Sequence, residues 1–171
     1  MAVKKDMYDQ FLVMSVTMSA ADTLTFGEIN LGVSIFDYAA FVISRIEYKL
    51  ARASFASLVA NADSVAMAVT GSNSITDLGL QRPEVYDQAG YVVGVSGTPA
   101  TAQIMEQPII HDFSMMEGGG LIVPAQNIYL GMETTGFASA GSCNARVFFR
   151  VKELQAGDFI ELVQRLRVLS T

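Results

Sequence analysis

The chain has 171 residues and a formal net charge of −6, enough length for one full hydrophobic core and cramped for two domains. Hydrophobic residues make up 51% and charged residues 16%, with a mean hydropathy of +0.35, so charge falls well below the roughly 25% of ordinary soluble domains. No apolar run approaches the ~18 to 20 residues of a spanning helix, and Met1 to Asp9 reaches the acidic Asp6 and Asp9 before any apolar region forms, unlike a secretory signal.

A greasy chain without a spanning segment points to burial of surface against other subunits, because interface cores are depleted in charge. The basic residues are scattered, with Lys4-Lys5 and Arg165/Arg167 as the close pairs, so direct nucleic-acid binding through clustered cations is not expected.

In chain order, Phe11 to Met18 is an apolar, partly β-branched run that predicts the first long strand. Ala20, Ala21 and Asp22 turn the chain. Thr23 to Leu31 alternates loosely, and the change of parity near Gly27 predicts a bulge. Phe41 to Arg52 predicts a second strand, with Val42, Ile46, Tyr48 and Leu50 inward and Arg45, Glu47 and Lys49 outward. In Asp63 to Thr70, Val65, Met67 and Val69 alternate with the small Ala66 and Ala68. The segment before it, Ala53 to Ala62, also fits helical spacing through Phe55, Leu58 and Val59. Gly71 to Glu84 reads as a long surface connection.

Val85 to Val95, a short stretch around Thr101 to Met105, Pro108 to Phe113, Leu121 to Val123 and Ile128 to Thr134 complete the middle strands, and Met116 to Gly120 is a turn. The clearest strand is Ser142 to Leu154. Ala145, Val147, Phe149 and Val151 share the buried parity, and Arg146, Arg150 and Lys152 the polar one. Phe148 alone breaks the polar row, so one ring faces away from the core as a candidate self-association contact. A helix from Asp158 to Arg167 closes the chain: Asp158 and Glu161 have capping-box spacing, and Phe159, Leu162, Val163 and Leu166 form an apolar stripe. Phe159 and Leu162 join Phe148 as candidate contacts, because the stripe must cover either its own domain or a neighbour. Turn signals every 8 to 15 residues without long helices between them predict an all-β sandwich or barrel of two antiparallel sheets.

Reactive chemistry is sparse. The single histidine, His111, lacks the companions of a His-rich metal set. His111-Asp112 has no serine or cysteine at an elbow spacing, and strand neighbours point to opposite faces, so it reads as a hydrogen-bonded strand residue. Gly118 to Gly120 lacks the Lys-Ser/Thr ending of a phosphate loop. The one cysteine, Cys143, reads as a small buried hydrophobe, with a disulfide to a second subunit or a reactive thiol as the alternatives. The methionines read as core or interface filler. No catalytic residue, metal ligand or cofactor is assigned.

The order of these features resembles the single jelly-roll capsid proteins of icosahedral viruses. The likeness lies in an early strand, roughly eight strands with irregular connections, the late segment from Gly118 through Leu121-Ile-Val-Pro-Ala-Gln-Asn-Ile-Tyr-Leu130, and the strong strand Ala145 to Leu154. It covers nearly the whole chain, 1–171, as one domain with a short N-terminal segment (1–8), about eight strands and a closing helix (158–167). The resemblance implies two four-stranded sheets packed face to face and subunits tiled into a closed shell, located in the virion and assembled in the host cell. Many such coats carry a basic N-terminal arm that neutralises the genome. This sequence has only Lys4 and Lys5 there, which moves the likeness toward coats over an internal membrane or another protein layer. The implied partners are copies of the chain itself, with other capsid proteins and an underlying viral membrane left open. The alternative is a jelly-roll carbohydrate- or receptor-binding module, which would have to use tyrosines as platforms because the chain has no Trp.

Overall fold

The computed structural model describes residues 10–29, 38–55, 57, 58, 60, 62–93, 108–124 and 127–168. The expected strand around Thr101 to Met105 lies outside them. The strands are β1 (Gln10–Thr17), β2 (Thr25–Ile29), β3 (Ala39–Leu50), β4 (Ser64–Thr70), β5 (Val85–Val92), β6 (Ile109–Asp112), β7 (Leu121–Pro124), β8 (Ile128–Thr135) and β9 (Ser142–Glu153). A one-turn helix, α1 (Arg52–Phe55), follows β3, and α2 (Ala156–Val168) closes the chain.

Two antiparallel sheets result. Sheet A runs β1-β9-β3-β6 with β7 also on β3, and sheet B runs β2-β8-β4-β5. β6 and β7 are two halves of one edge strand: β6 pairs with Arg45 to Tyr48 and β7 with Ala40 to Ile43, along the side of β3 that β9 leaves open. Counting them once gives eight strands, nested outermost to innermost as β1 with β9, β2 with β8, β3 with β6/β7 and β4 with β5. This is the connectivity of a single jelly roll.

The strand parities that created the sheets also fill the space between them. β9 contributes Cys143, Ala145, Val147 and Phe149, all buried, β1 contributes Met14 and Val16, and sheet B answers with Val65, Met67, Val69, Leu130 and Met132. Phe41 and Phe149 meet edge to face, with ring centroids 5.2 Å apart, an arrangement that adds about 0.5 to 1.5 kcal/mol beyond area burial.

The structure corrects three local expectations. The register shifts sit in β3, on β9 between Ile43 and Arg45, and between β4 and β5 at Val69/Thr70, and not at Gly27, through which β2 pairs with β8 residue for residue. Gly27 is small for another reason: a side chain there would strike the Ser15 carbonyl of the other sheet. Because Ser44 is the extra residue, Ala39, Phe41 and Ile43 point inward before it and Ile46, Tyr48 and Leu50 after it. Val42 is therefore buried on the outer face of sheet A, beside Gly120, and not in the inter-sheet core. Finally, α2 starts at Ala156, with the Phe159 N–H donating to the Gln155 carbonyl at 3.0 Å. Asp158 thus sits within the first turn, where its charge suits the helix dipole, and does not cap it.

The connection 71–84 lies at the surface, as expected, and is anchored there by two apolar side chains. Ile75 and Leu78 fold back over the outer face of sheet B and bury Ala68, with Leu24 and Phe26 packed beside them. The small alanines of β4 leave the room for this second layer. Among the described residues, none forms a comparable cover on the outer face of sheet A over β1, β9 and the Arg45–Leu50 half of β3.

Candidate functional site

The register of sheet A builds its outer face in rows. Phe11, Phe148, Arg45 and Asp112 form one row across β1, β9, β3 and β6, and Val13, Arg146, Glu47 and Ile110 form the next. Phe148 is half-buried in the first row. The Phe11 ring lies tilted beside it at 5.9 Å, and the Arg45 guanidinium stacks above it at 4.0 Å. Arg146 reaches over Phe11 at 5.4 Å. Glu47 stands between both guanidinium groups, 3.0 Å from Arg45 and 3.6 Å from Arg146. Arg45 Nε is buried in this stack without a hydrogen-bond partner, so its charge is served by the ring and by Glu47.

The β3 bulge shapes the margin of this face. The Ser44 hydroxyl donates to the Phe148 carbonyl at 3.4 Å, and the Ser44 carbonyl accepts from the Phe113 N–H at 2.8 Å. The edge strand leaves the sheet opposite the bulge and returns as β7, turning through Gly118, Gly119 and Gly120 with φ of 89°, 76° and 156°. A side chain at Gly120 would press on the Ile43 carbonyl and on Val42. The glycine triplet is thus a turn that must pass close over a strand. Ser44, Arg45, Asp112, Ser114 and Phe148 line a shallow depression of about 230 Å³. Bonds from Ser114, with the Arg45 charge as a smaller contribution, hold the Asp112 carboxyl below its usual range.

The apolar residues left exposed on this face flank the charged middle. Phe11 is 60%, Val13 54% and Ile110 52% exposed. Of the other sequence candidates, Phe159 is buried in its own protomer and meets Tyr38 edge to face at 5.8 Å. Leu162 is half-buried on α2, and Ile160 is exposed. Sequence reasoning missed Phe11 and Val13 because both sit in a run read only as core strand; the period of two, followed to the start of β1, assigns them outward.

The polar groups elsewhere have structural partners. His111 Nδ1 lies 2.8 Å from an Asp87 carboxylate oxygen across the gap between the sheets, and the buried Tyr48 hydroxyl donates to the Asp87 carbonyl at 3.1 Å. The three residues close the β5/β6 margin of the sandwich. Burial, reinforced by the Asp87 charge, raises the Tyr48 phenol well above its ordinary range. Cys143 is buried and its thiol is pushed up to about 12 by burial, which makes it an inert core residue in the folded protomer. Among the described residues no group of three or more His, Cys, Asp or Glu is placed to hold a metal ion, and no helix is long and apolar enough to cross a membrane.

Solved structures similar to this chain include polyomavirus VP1 proteins. The VP1 protein of Trichodysplasia spinulosa-associated polyomavirus matches over 86% of this chain and 96% of its own, with 10% identity and a TM-score of 0.48. The unassembled KI polyomavirus VP1 pentamer matches over 86% and 94%, with 12% identity and a TM-score of 0.41. The unassembled Washington University polyomavirus VP1 pentamer (R198K mutant) matches over 84% and 94%, with 10% identity and a TM-score of 0.39. No family model matches the chain, and no curated protein does.

Proposed function

We propose that this chain is a structural coat protein, without enzymatic activity or cofactor, whose copies associate into a closed icosahedral shell of a virion assembled in the host cell. The supporting observation is the outer face of sheet A, where Phe11, Val13 and Ile110 stand more than half exposed around the Phe148–Arg45 stack. A large apolar side chain gains roughly 1.5 to 3 kcal/mol on full burial; Phe11 and Val13 adjoin the Phe148 ring on one side of the charged middle and Ile110 stands on the other, and exposed apolar side chains gathered on one face suit an interaction surface. Phe148 is the central contact of that surface. On α2, Leu162 supplies a secondary contact, while Phe159 sets the helix against its own domain and so fixes what Leu162 presents. A second coat protein or an underlying viral membrane is compatible with the same layout.

The test is the mass of the purified full-length chain in solution. Size-exclusion chromatography with light scattering is expected to give a species many times the 18.4 kDa of one chain, in equilibrium with protomer on dilution. A monodisperse 18.4 kDa species at every accessible concentration would contradict the coat reading and favour a jelly-roll binding module.

A further inference from the structure

Among the described residues, the outward positions of the two sheets carry opposite charge. On sheet A the outward positions hold Arg45, Lys49, Arg146, Arg150 and Lys152 against Glu47 and Asp112, five cations to two carboxylates in a chain whose net charge is −6. Glu117 in the adjoining turn leaves the excess positive. On sheet B the outward positions of β2 and β8 hold Glu28 and Glu133, and the covering connection adds Asp77 and Glu84 against Arg82, four carboxylates to one cation. The cations that lie scattered along the sequence are gathered by the topology, because β3 and β9 are neighbours and present their polar parities on the same side.

Apolar exposure follows the same division. Sheet A offers Phe11, Val13 and Ile110. The sheet B side offers Leu80 of the covering connection, 65% exposed, and Val92 of β5, 75% exposed.

From these two matched faces we infer that copies of the chain associate head to tail, the outer face of sheet A of one copy docking on the acidic cover of sheet B of the next. The occupant of the sheet A face is thus a second copy of this chain. Charge complementarity orients such an encounter and rejects the alternative of two sheet A faces meeting, which would oppose like charges. A contact between two different surfaces of the same chain is heterologous, and it closes into a ring when the rotation between copies permits. The pairing accounts for an acidic sheet B side and a basic sheet A side on one small domain. It rests on the coat reading and names the surfaces that the reading requires.

Charge reversal with rescue tests it. Arg146→Glu with Lys152→Glu makes the sheet A face acidic, and Glu84→Lys with Glu133→Lys makes the sheet B side basic. Each pair alone is expected to weaken association at least about tenfold at low salt, since each reversal both removes an attraction and adds a repulsion. The fourfold variant, with both faces reversed, is expected to recover association to within a few-fold of wild type. Raising the salt should narrow all these differences by screening. Melting curves of each variant confirm that the protomer is folded. Wild type that assembles alongside variants that assemble equally well would overturn this pairing and leave the coat reading standing. The same holds for a fourfold variant that stays as weak as the two pairs. Wild type that never assembles would overturn both.

Discussion

Replacing Phe148 by glutamate separates folding from assembly. In the protomer the ring loses its stack under Arg45, worth about 0.5 to 1 kcal/mol at a partly exposed site, and its tilted contact with Phe11, worth about 0.5 to 1.5 kcal/mol. The guanidinium centred 4.0 Å from the lost ring then faces a carboxylate, and an exposed pair of this kind returns up to about 1 kcal/mol. The net protomer cost is therefore about 1 kcal/mol, or roughly 2 to 4 °C in Tm for a chain of this size. In a subunit contact the same carboxylate would be taken out of water beside a guanidinium that Glu47 already engages, at several kcal/mol per contact, and a shell repeats that cost at every copy. Light scattering and thermal melting of mutant against wild type should show assembly lost and Tm nearly kept. A mutant that melts more than about 10 °C lower would make Phe148 a core residue, and one that assembles as wild type would place the interface elsewhere.

Gly120→Ala is expected to destabilise the protomer by about 2 to 4 kcal/mol, because the new methyl meets the Ile43 carbonyl and Val42 in a backbone conformation that side chains rarely adopt; urea melts showing less than about 0.5 kcal/mol would refute this account of the turn. Cys143 makes stability fall in alkali: its folded pKa of about 12 lies above the ordinary 9.0, so the contribution is complete below about 9 and is lost as pH rises toward 12. Denaturation midpoints measured across that range should fall less steeply in Cys143→Ala than in wild type, and an identical slope would contradict burial as the cause.

Much of the fold is legible in the sequence, and the failures share a cause. β3 and β9 declare themselves by alternation, and their place inside sheet A follows from having one apolar and one charged parity. The Ser44 bulge was not readable because Phe41, Val42 and Ile43 are all apolar, so nothing in the residues marks where the parity flips; only pairing with β9 reveals it. Ala66 and Ala68 signalled close packing, yet the layer that uses the space, Ile75 and Leu78, sits in a segment whose Ser, Asn and Gly content reads as loop. The self-association face was half legible. Phe148 stands out against its arginine row, whereas its cross-strand partner Phe11 and the Arg45 stack depend on registers that no local pattern contains. The division of charge between the faces is likewise a property of strand order and not of any stretch of sequence.

Electron microscopy of the chain, concentrated after expression at low salt, tests its assembly into a coat. Closed shells or their ring-shaped building units are expected from wild type and not from Phe148→Glu. Fields of single, dispersed protomers from wild type under the same conditions would contradict it.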